Sequence, residues 1–470
     1  GSEMCIRDRY NKNYCCRNKK IFDRRNCKVK TDIILKPERN KKIFDRRNFM
    51  SPAVITLCVL AVAAFFFVTE LIPLAVTAIG ASIALGLLGV LTPQQVFSGL
   101  SDSTVVLFAG MFVIGAAMFQ TGLAQKIGIK VVKSAGTSEN RLMAALMCIT
   151  ILLSAVSSNT ATVACLMPVV IQICAVAKIP VSPQLMALAV AANVGGTITM
   201  VGTPPNILMS ATLQATGLEP FGFFEFAYIG VPLSIAGMVY MLSIGRKFCP
   251  RRYVETVEND KASDEVKDPK KMMICTVILI LVVLGMAFEK NIGIPMQTTA
   301  IIGALACVLT GCLSEKQAYL GIDWVTIFLF AGMLPLASAM DKSGAGKMIA
   351  DGVVGIIGDN PSPMLIVVAM FILSCGLTQF MSNTAAAALL APIGISIAQS
   401  IGASPYPVLM AIGIAASCAF TTPVATPPNT LVLIPGHFKF IDYVKVGLPL
   451  VVVSLVVCMI VIPFFWPFFP

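Results

Sequence analysis

Apolar runs of near-membrane length recur along the chain from residue 52 onward, separated by Gly, Pro and short polar breaks, with no strand-like alternation between them. The pattern predicts helices over 52–69, 72–91 and 104–121, then an amphipathic piece, then two short apolar arms at 141–157 and 161–178 that meet at a polar triplet. Short arms of this kind suit a re-entrant hairpin. A long apolar run at 185–216 follows, interrupted by GGTITMVGTPPN, where Gly and paired prolines cannot hold a continuous helix. A final run covers 226–245.

The order then starts again. Runs at 273–288, 294–313 and 325–340 precede arms at 364–380 and 385–402, a broken run at 406–435 and a last run at 444–465. Sliding the chain on itself matches Ile72-Pro73 and Thr77-Ala78 to Ile294-Pro295 and Thr299-Ala300, and FAGM at 108–111 to FAGM at 330–333. SNT at 158–160 matches SNT at 382–384, and GTPPN at 202–206 matches ATPPN at 425–429. The offsets are 222, 224 and 223, so the halves are collinear almost without gaps. Each half offers five crossings, and an odd number inverts the second half relative to the first. The expected fold is an all-α polytopic membrane protein of two inverted five-helix repeats, 50–245 and 273–466, each with a re-entrant hairpin and a broken helix.

Composition agrees: 57% of the 470 residues are hydrophobic and 13% are charged, with a mean hydropathy of +0.84, well away from a soluble domain. Charge changes the picture only at the N-terminus. The first 50 residues carry 16 Lys and Arg against 6 Asp and Glu, leaving 19 against 18 elsewhere, so the net +11 does not point to nucleic acid. NKKIFDRRN stands at 18–26 and again at 40–48, and 1–49 is read as a non-native or disordered basic leader, with translation starting at Met50. Residues 246–272 hold eight Lys and Arg, which places this linker in the cytoplasm. The eleven cysteines beyond the leader sit singly in apolar segments without metal-ligand spacing and read as small core residues.

Non-helical backbone at membrane depth is tolerated only where protein or a water-filled cavity surrounds it, so two hairpin tips and two broken helices imply a central polar site. Asn159 and Asn383 each bring a carbonyl oxygen and an amide donor; Ser158, Thr160, Ser382 and Thr384 bring hydroxyls. The arm after each triplet turns free N–H groups toward it, favouring an anion, and opened backbone at Gly202 and Ala425 presents carbonyls to a cation. Neither triplet nor either TPPN contains Lys or Arg, so bound cations are the available compensation for a buried anion, and neutral oxygen ligands suit a hard ion such as sodium. One isolated SNT would be interhelical hydrogen-bond glue; two copies in register, each followed by TPPN, favour a site. The FAGM repeats read as close helix packing.

At SNT, TPPN and VTELIPLAVTA (68–78) the sequence resembles the divalent anion/sodium symporter family, over about residues 52–466. The resemblance implies a homodimeric elevator carrier of dicarboxylates, citrate or sulfate in the cell membrane, of the bacterial inner-membrane kind. It implies sodium as coupling ion and no other cofactor. Carried over by position, the first sodium site uses Ser154, Ser158, Asn159 and Gly202. The second uses Thr378, Asn383 and Ala425, with backbone at Met381. The substrate meets Asn159, Thr160, Asn383, Thr384, Thr426 and Pro427. The partners so implied are a small anion, sodium, lipid and a second copy of the chain. The nearest alternatives are a sodium/proton or arsenite-type antiporter and a passive anion channel. An intramembrane enzyme lacks its usual Ser/His, paired-Asp or metal signature, since the one histidine, His437, stands at a segment end.

Overall fold

The computed structural model describes residues 50–126, 138–253, 268–357 and 362–469; the leader at 1–49 and the middle of the linker lie outside the described residues. The first half runs α1 (Pro52–Thr69), α2 (Leu74–Leu87), α3 (Pro93–Val96), α4 (Ser103–Gln120), α5 (Glu139–Val156), α6 (Asn159–Ala177), α7 (Val181–Gly195), α8 (Pro204–Ala215) and α9 (Ala227–Phe248). The second runs α10 (Pro269–Ala287), α11 (Glu289–Ile292), α12 (Met296–Leu309), α13 (Glu315–Gly321), α14 (Trp324–Ser343), α15 (Ala345–Ile357), α16 (Pro363–Thr378), α17 (Asn383–Ser400), α18 (Pro405–Ser417), α19 (Pro427–Leu433) and α20 (Phe440–Phe465). No strand occurs among the described residues, and seven helices there are long and apolar enough to cross a bilayer. The protein is a multi-pass all-α membrane protein.

Local chemistry sets the element ends. Asp102 and Asp323 open α4 and α14 by accepting from the backbone N–H of Thr104 and of Val325 and Thr326. Thr92 with Gln95, and Ser314 with Gln317, form capping boxes on the short helices α3 and α13. The two breaks follow from proline. Pro204-Pro205 and Pro427-Pro428 occupy the first turn of α8 and α19, where a missing N–H costs nothing, but neither pair could lie inside a continuous helix. The expected runs 185–216 and 406–435 therefore resolve into α7 and α8 around 196–203, and α18 and α19 around 418–426.

Packing exchanges the halves. The glycine of the first FAGM, Gly110, lies so close to Ala300 that an added Cβ would stand 2.9 Å from its backbone; Gly332 of the second FAGM meets Ala78 the same way, at 2.3 Å. Each FAGM thus seats on the Thr-Ala repeat of the other half, and Phe108 and Phe330 meet edge to face between them, centroids 5.1 Å apart. The packing reading of these motifs holds.

Hydrogen bonds define two ends of the bundle. At one, Arg251 pairs with Glu139 at 2.7 Å, Arg246 meets Asn140, Val181 N–H donates to the Arg252 carbonyl at 2.8 Å, and Ser182 donates to the Gly436 carbonyl at 2.9 Å. At the other, Lys290 pairs with Glu219 at 3.3 Å, Tyr406 donates to the Glu219 carbonyl at 2.9 Å, Ser404 N–H donates to the Phe468 carbonyl at 2.7 Å, and Trp466 donates to Glu225 at 2.7 Å. Both feet of the first hairpin, α5–α6, stand at the basic end. The chain leaving the second, α16–α17, stands at the opposite one.

Candidate functional site

The two hairpin tips and the two breaks line one cavity of about 820 Å³. Of the residues assigned to substrate, Asn159, Thr160, Asn383, Thr384, Thr426 and Pro427 all face it. So do Ser158, Gly202 and Ala425 from the cation assignments. Ser154 and Thr378 are fully buried behind the asparagines, and Met381 is buried beneath the second tip.

Each asparagine sits against a cluster of oxygens. In the first half the Ser154 hydroxyl lies 2.5 Å from Asn159 Oδ1 and 2.8 Å from the Ala192 carbonyl. That end of the amide is also 3.2 Å from the Gly202 and Ala192 carbonyls. One hydroxyl hydrogen serves four oxygens, an arrangement that a hard cation would stabilise. Turned over, the amide would instead donate to Gly202, Ala192 and Ser154. The second half repeats the geometry: Thr378 donates to Asn383 Oδ1 at 2.6 Å and approaches the Ala416 carbonyl at 2.9 Å. These are the oxygens that the two expected cation sites would use, from Ser154, Asn159 and Gly202 in one half and from Thr378 and Asn383 in the other. Ser158 is exposed to the cavity rather than folded into the first cluster.

The breaks are held open by a matched pair of asparagines from the TPPN motifs. Asn206 Nδ2 donates to the Gly196 and Thr199 carbonyls at 3.3 and 2.9 Å, and Asn429 Nδ2 to those of Ala419 and Thr422 at 2.8 and 2.9 Å. These bonds satisfy carbonyls that the interrupted helices leave free. Asn429 Oδ1 then accepts from Asn193, 3.2 Å away, which also lies 3.4 Å from the Thr426 hydroxyl and so ties the end of α7 to the second break.

Sequence reasoning missed Asn193 and Ser157. Both line the cavity, both are buried, and Asn193 Oδ1 and Ser157 Oγ have no protein partner. The available signal for Asn193 was a lone amide in the apolar run MALAVAANVGG. The carbonyls of Ala192 and Ala416 were missed as well. No Lys, Arg or His among the described residues lines the cavity; the carboxylates there, Glu70 and Asp323, stand at helix ends, and Asp323 is engaged in capping α14. Among the described residues no group of three or more His, Cys, Asp or Glu could hold a metal ion.

The cavity mouth faces the basic end of the bundle. Lys290, beyond the far end of α10, pairs at the opposite end, so Lys271 at its start lies at the basic end. The Cys312 thiol meets the Lys271 carbonyl at 3.6 Å, and α13 leads from there to Gly321 and Asp323 on the cavity rim.

Fold and cavity define the class first: a multi-pass α-helical membrane protein with a polar cavity among its helices. The chain belongs to the citrate transporter family (CitMHS), whose model matches residues 64–403 and 360–468. It is 32% identical to an uncharacterized transporter of Haemophilus influenzae, over 87% of this chain and 91% of that protein. It is 26% identical to the uncharacterized transporter YfbS of Escherichia coli, over 88% of this chain and 99% of the relative. The sodium-dependent dicarboxylate transporter SdcS of Staphylococcus saprophyticus is also 26% identical, over 85% of this chain and 83% of its own length. Its presence among the relatives agrees with the resemblance to divalent anion/sodium symporters. Among solved structures, the YdaH transporter of Alcanivorax borkumensis superposes with a TM-score of 0.63 at 15% identity, covering 90% of this chain and all of that one. MtrF of Neisseria gonorrhoeae gives 0.56 at 14%, covering 91% and 99%. At these identities the likeness is one of fold.

Proposed function

We propose that this protein is a secondary active transporter that couples sodium to uptake of a divalent anion such as a C4-dicarboxylate. The observation that carries the reading is a cavity with no basic residue among the described ones that line it, whose wall brings together two N-terminal helix ends, two SNT tips and two clusters of oxygens. An anion there has N–H and hydroxyl donors but no fixed positive charge, so its burial depends on cations bound beside it, and coupling follows from electrostatics. Thr160, Thr384 and Thr426 supply hydroxyls for carboxylate oxygens, and the start of α6 and of α17 supplies N–H groups. The SdcS relatives, which are sodium-dependent dicarboxylate transporters, support both halves of the reading. Labelled succinate, malate, citrate and sulfate offered to proteoliposomes should separate cleanly: a dicarboxylate enters with an inward sodium gradient, and replacing sodium by choline stops it. Gradient-independent flux would mean a channel, and proton-driven sodium exchange without anion flux an antiporter.

The same reading makes the halves inverted repeats with re-entrant hairpins, supported by the exchanged FAGM seats and by first-hairpin feet and second-hairpin exit at opposite ends. It takes transport as an elevator movement in a homodimer, as the family resemblance implies. With the basic end in the cytoplasm, the cavity is inward-open. Val424 lines it and is 70% exposed. A Val424→Cys variant should therefore react with an impermeant thiol reagent in inside-out vesicles and not in intact cells, and substrate plus sodium should slow the reaction. Labelling only from outside would reverse the topology.

A further inference from the structure

We propose that Gln379 is a positioning residue that holds the second cation site ready-made, leaving the first as the site that sodium itself must assemble. The inference rests on the sodium-coupled reading above and starts from a place where the two halves stop matching. By the shared geometry of the breaks, Gln379 of the second half corresponds to Ala155 of the first, Thr421 to Ile198, and Thr422 to Thr199.

Gln379 is buried at the end of α16. Its Nε2 donates to the Cys375 carbonyl at 2.8 Å and to the Cys418 carbonyl at 3.1 Å, while Oε1 accepts from Thr421 N–H at 2.9 Å and the Thr421 hydroxyl at 2.6 Å. Its own carbonyl accepts from the Thr422 hydroxyl at 2.7 Å, and that hydroxyl accepts from Ala425 N–H at 3.1 Å. Hairpin tip and break are thus bound together up to Ala425 by bonds that involve no ion. Buried bonds of this kind are satisfied only when tip and break hold one fixed arrangement.

The first half has one tie in the same place, from the Thr199 hydroxyl to the Ala155 carbonyl. Its break also carries Gly196 and Gly202 where the second has Ala419 and Ala425, which widens the conformations open to the ion-free loop. Finally, the Asn159 amide can turn over and donate to Ser154, Ala192 and Gly202, replacing the cation with its own N–H groups. Sodium must reverse that turn before it is bound. A site populated in its competent form for a fraction of the time binds with an affinity reduced by that fraction.

Hydrogen exchange on the full-length protein in nanodiscs tests this, with sodium chloride titrated against choline chloride at constant ionic strength. Wild-type peptides covering 151–162 and 194–206 should gain about tenfold protection with sodium, while those covering 375–386 and 417–429 are already protected without it. Gln379→Ala should make the second pair sodium-dependent as well. It should also raise the sodium concentration for half-maximal uptake about tenfold, with anion KM at saturating sodium unchanged. A general packing defect would instead lower protection throughout and move both constants. Thr421→Val, which removes one partner of Gln379, should give the same pattern more weakly. Equal sodium dependence of both tips in the wild type would overturn the inference while leaving two sodium sites standing. Sodium leaving both tips unchanged would overturn the inference as well, and only uptake indifferent to sodium would remove the sites.

Discussion

Replacing either Asn159 or Asn383 by Asp is expected to abolish anion uptake while sodium binding persists. The substitution keeps size and one coordinating oxygen but exchanges the amide N–H₂ for negative charge. At the oxygen cluster this is harmless to a cation, and an added carboxylate strengthens its hold. On the cavity side the same charge meets the incoming anion, and among the described residues no Lys, Arg or His lines the wall to offset it. At 4 Å and intermediate dielectric one such pair costs about 4 kcal/mol, on the order of a thousandfold in affinity. Thr160→Val and Thr384→Val make the contrast. They remove a hydroxyl at nearly constant volume, so uptake should persist with apparent affinity weakened by about 1–3 kcal/mol. Initial rates of sodium-driven uptake, paired with sodium-dependent thermal stabilisation of the purified variants, read the two effects separately. Normal transport by both Asp variants would return the triplets to the role of helix glue.

Much of this architecture is written in the punctuation of the chain. Pro204-Pro205 and Pro427-Pro428 can begin a helix and cannot continue one, so both breaks are legible without coordinates, and the SNT triplets mark hairpin tips because polar residues have few reasons to sit between apolar arms. What stayed hidden has physical causes. The carbonyls of Ala192 and Ala416 belong to main chain, and a backbone oxygen leaves no trace in residue identity. Gln379 escapes a search for repeats because its counterpart is Ala155, so the feature that distinguishes the halves is invisible to a method that looks for what they share. Asn193 acts across the halves, on Thr426 and Asn429 more than 230 positions away, and neither periodicity nor spacing encodes such a contact. Short helices such as α11 and α13 lack the length to carry a period at all.

The glycines of the first break should prove as consequential as its asparagine. A Cβ on Gly196 would stand 2.6 Å from Asn159 Oδ1 and 2.8 Å from its Nδ2, and one on Gly202 would stand 2.5 Å from the Gly196 carbonyl oxygen. Both lie far inside van der Waals contact, and the two obstacles differ in kind. At Gly196 the obstacle is a side chain that can swing away, so Gly196→Ala should fold and insert normally. Asn159 then leaves the cluster of Ser154, Ala192 and Gly202, and a cation held there loses a ligand worth about 3 kcal/mol, on the order of a hundredfold in sodium affinity. At Gly202 the obstacle is main chain, so Gly202→Ala must open the break itself and should lower the melting temperature as well as uptake. The second half provides the control, because Ala419 and Ala425 already carry the methyl groups. Ala419→Gly and Ala425→Gly should transport at near wild-type rates and lose only the ~0.5–1 kcal/mol that added backbone freedom costs. Uptake measured across sodium concentrations decides the matter: a Gly196→Ala curve displaced to much higher sodium with unchanged melting temperature places Asn159 at a cation. A curve that overlays the wild type would mean the close approach of Asn159 to Gly196 has no part in coupling.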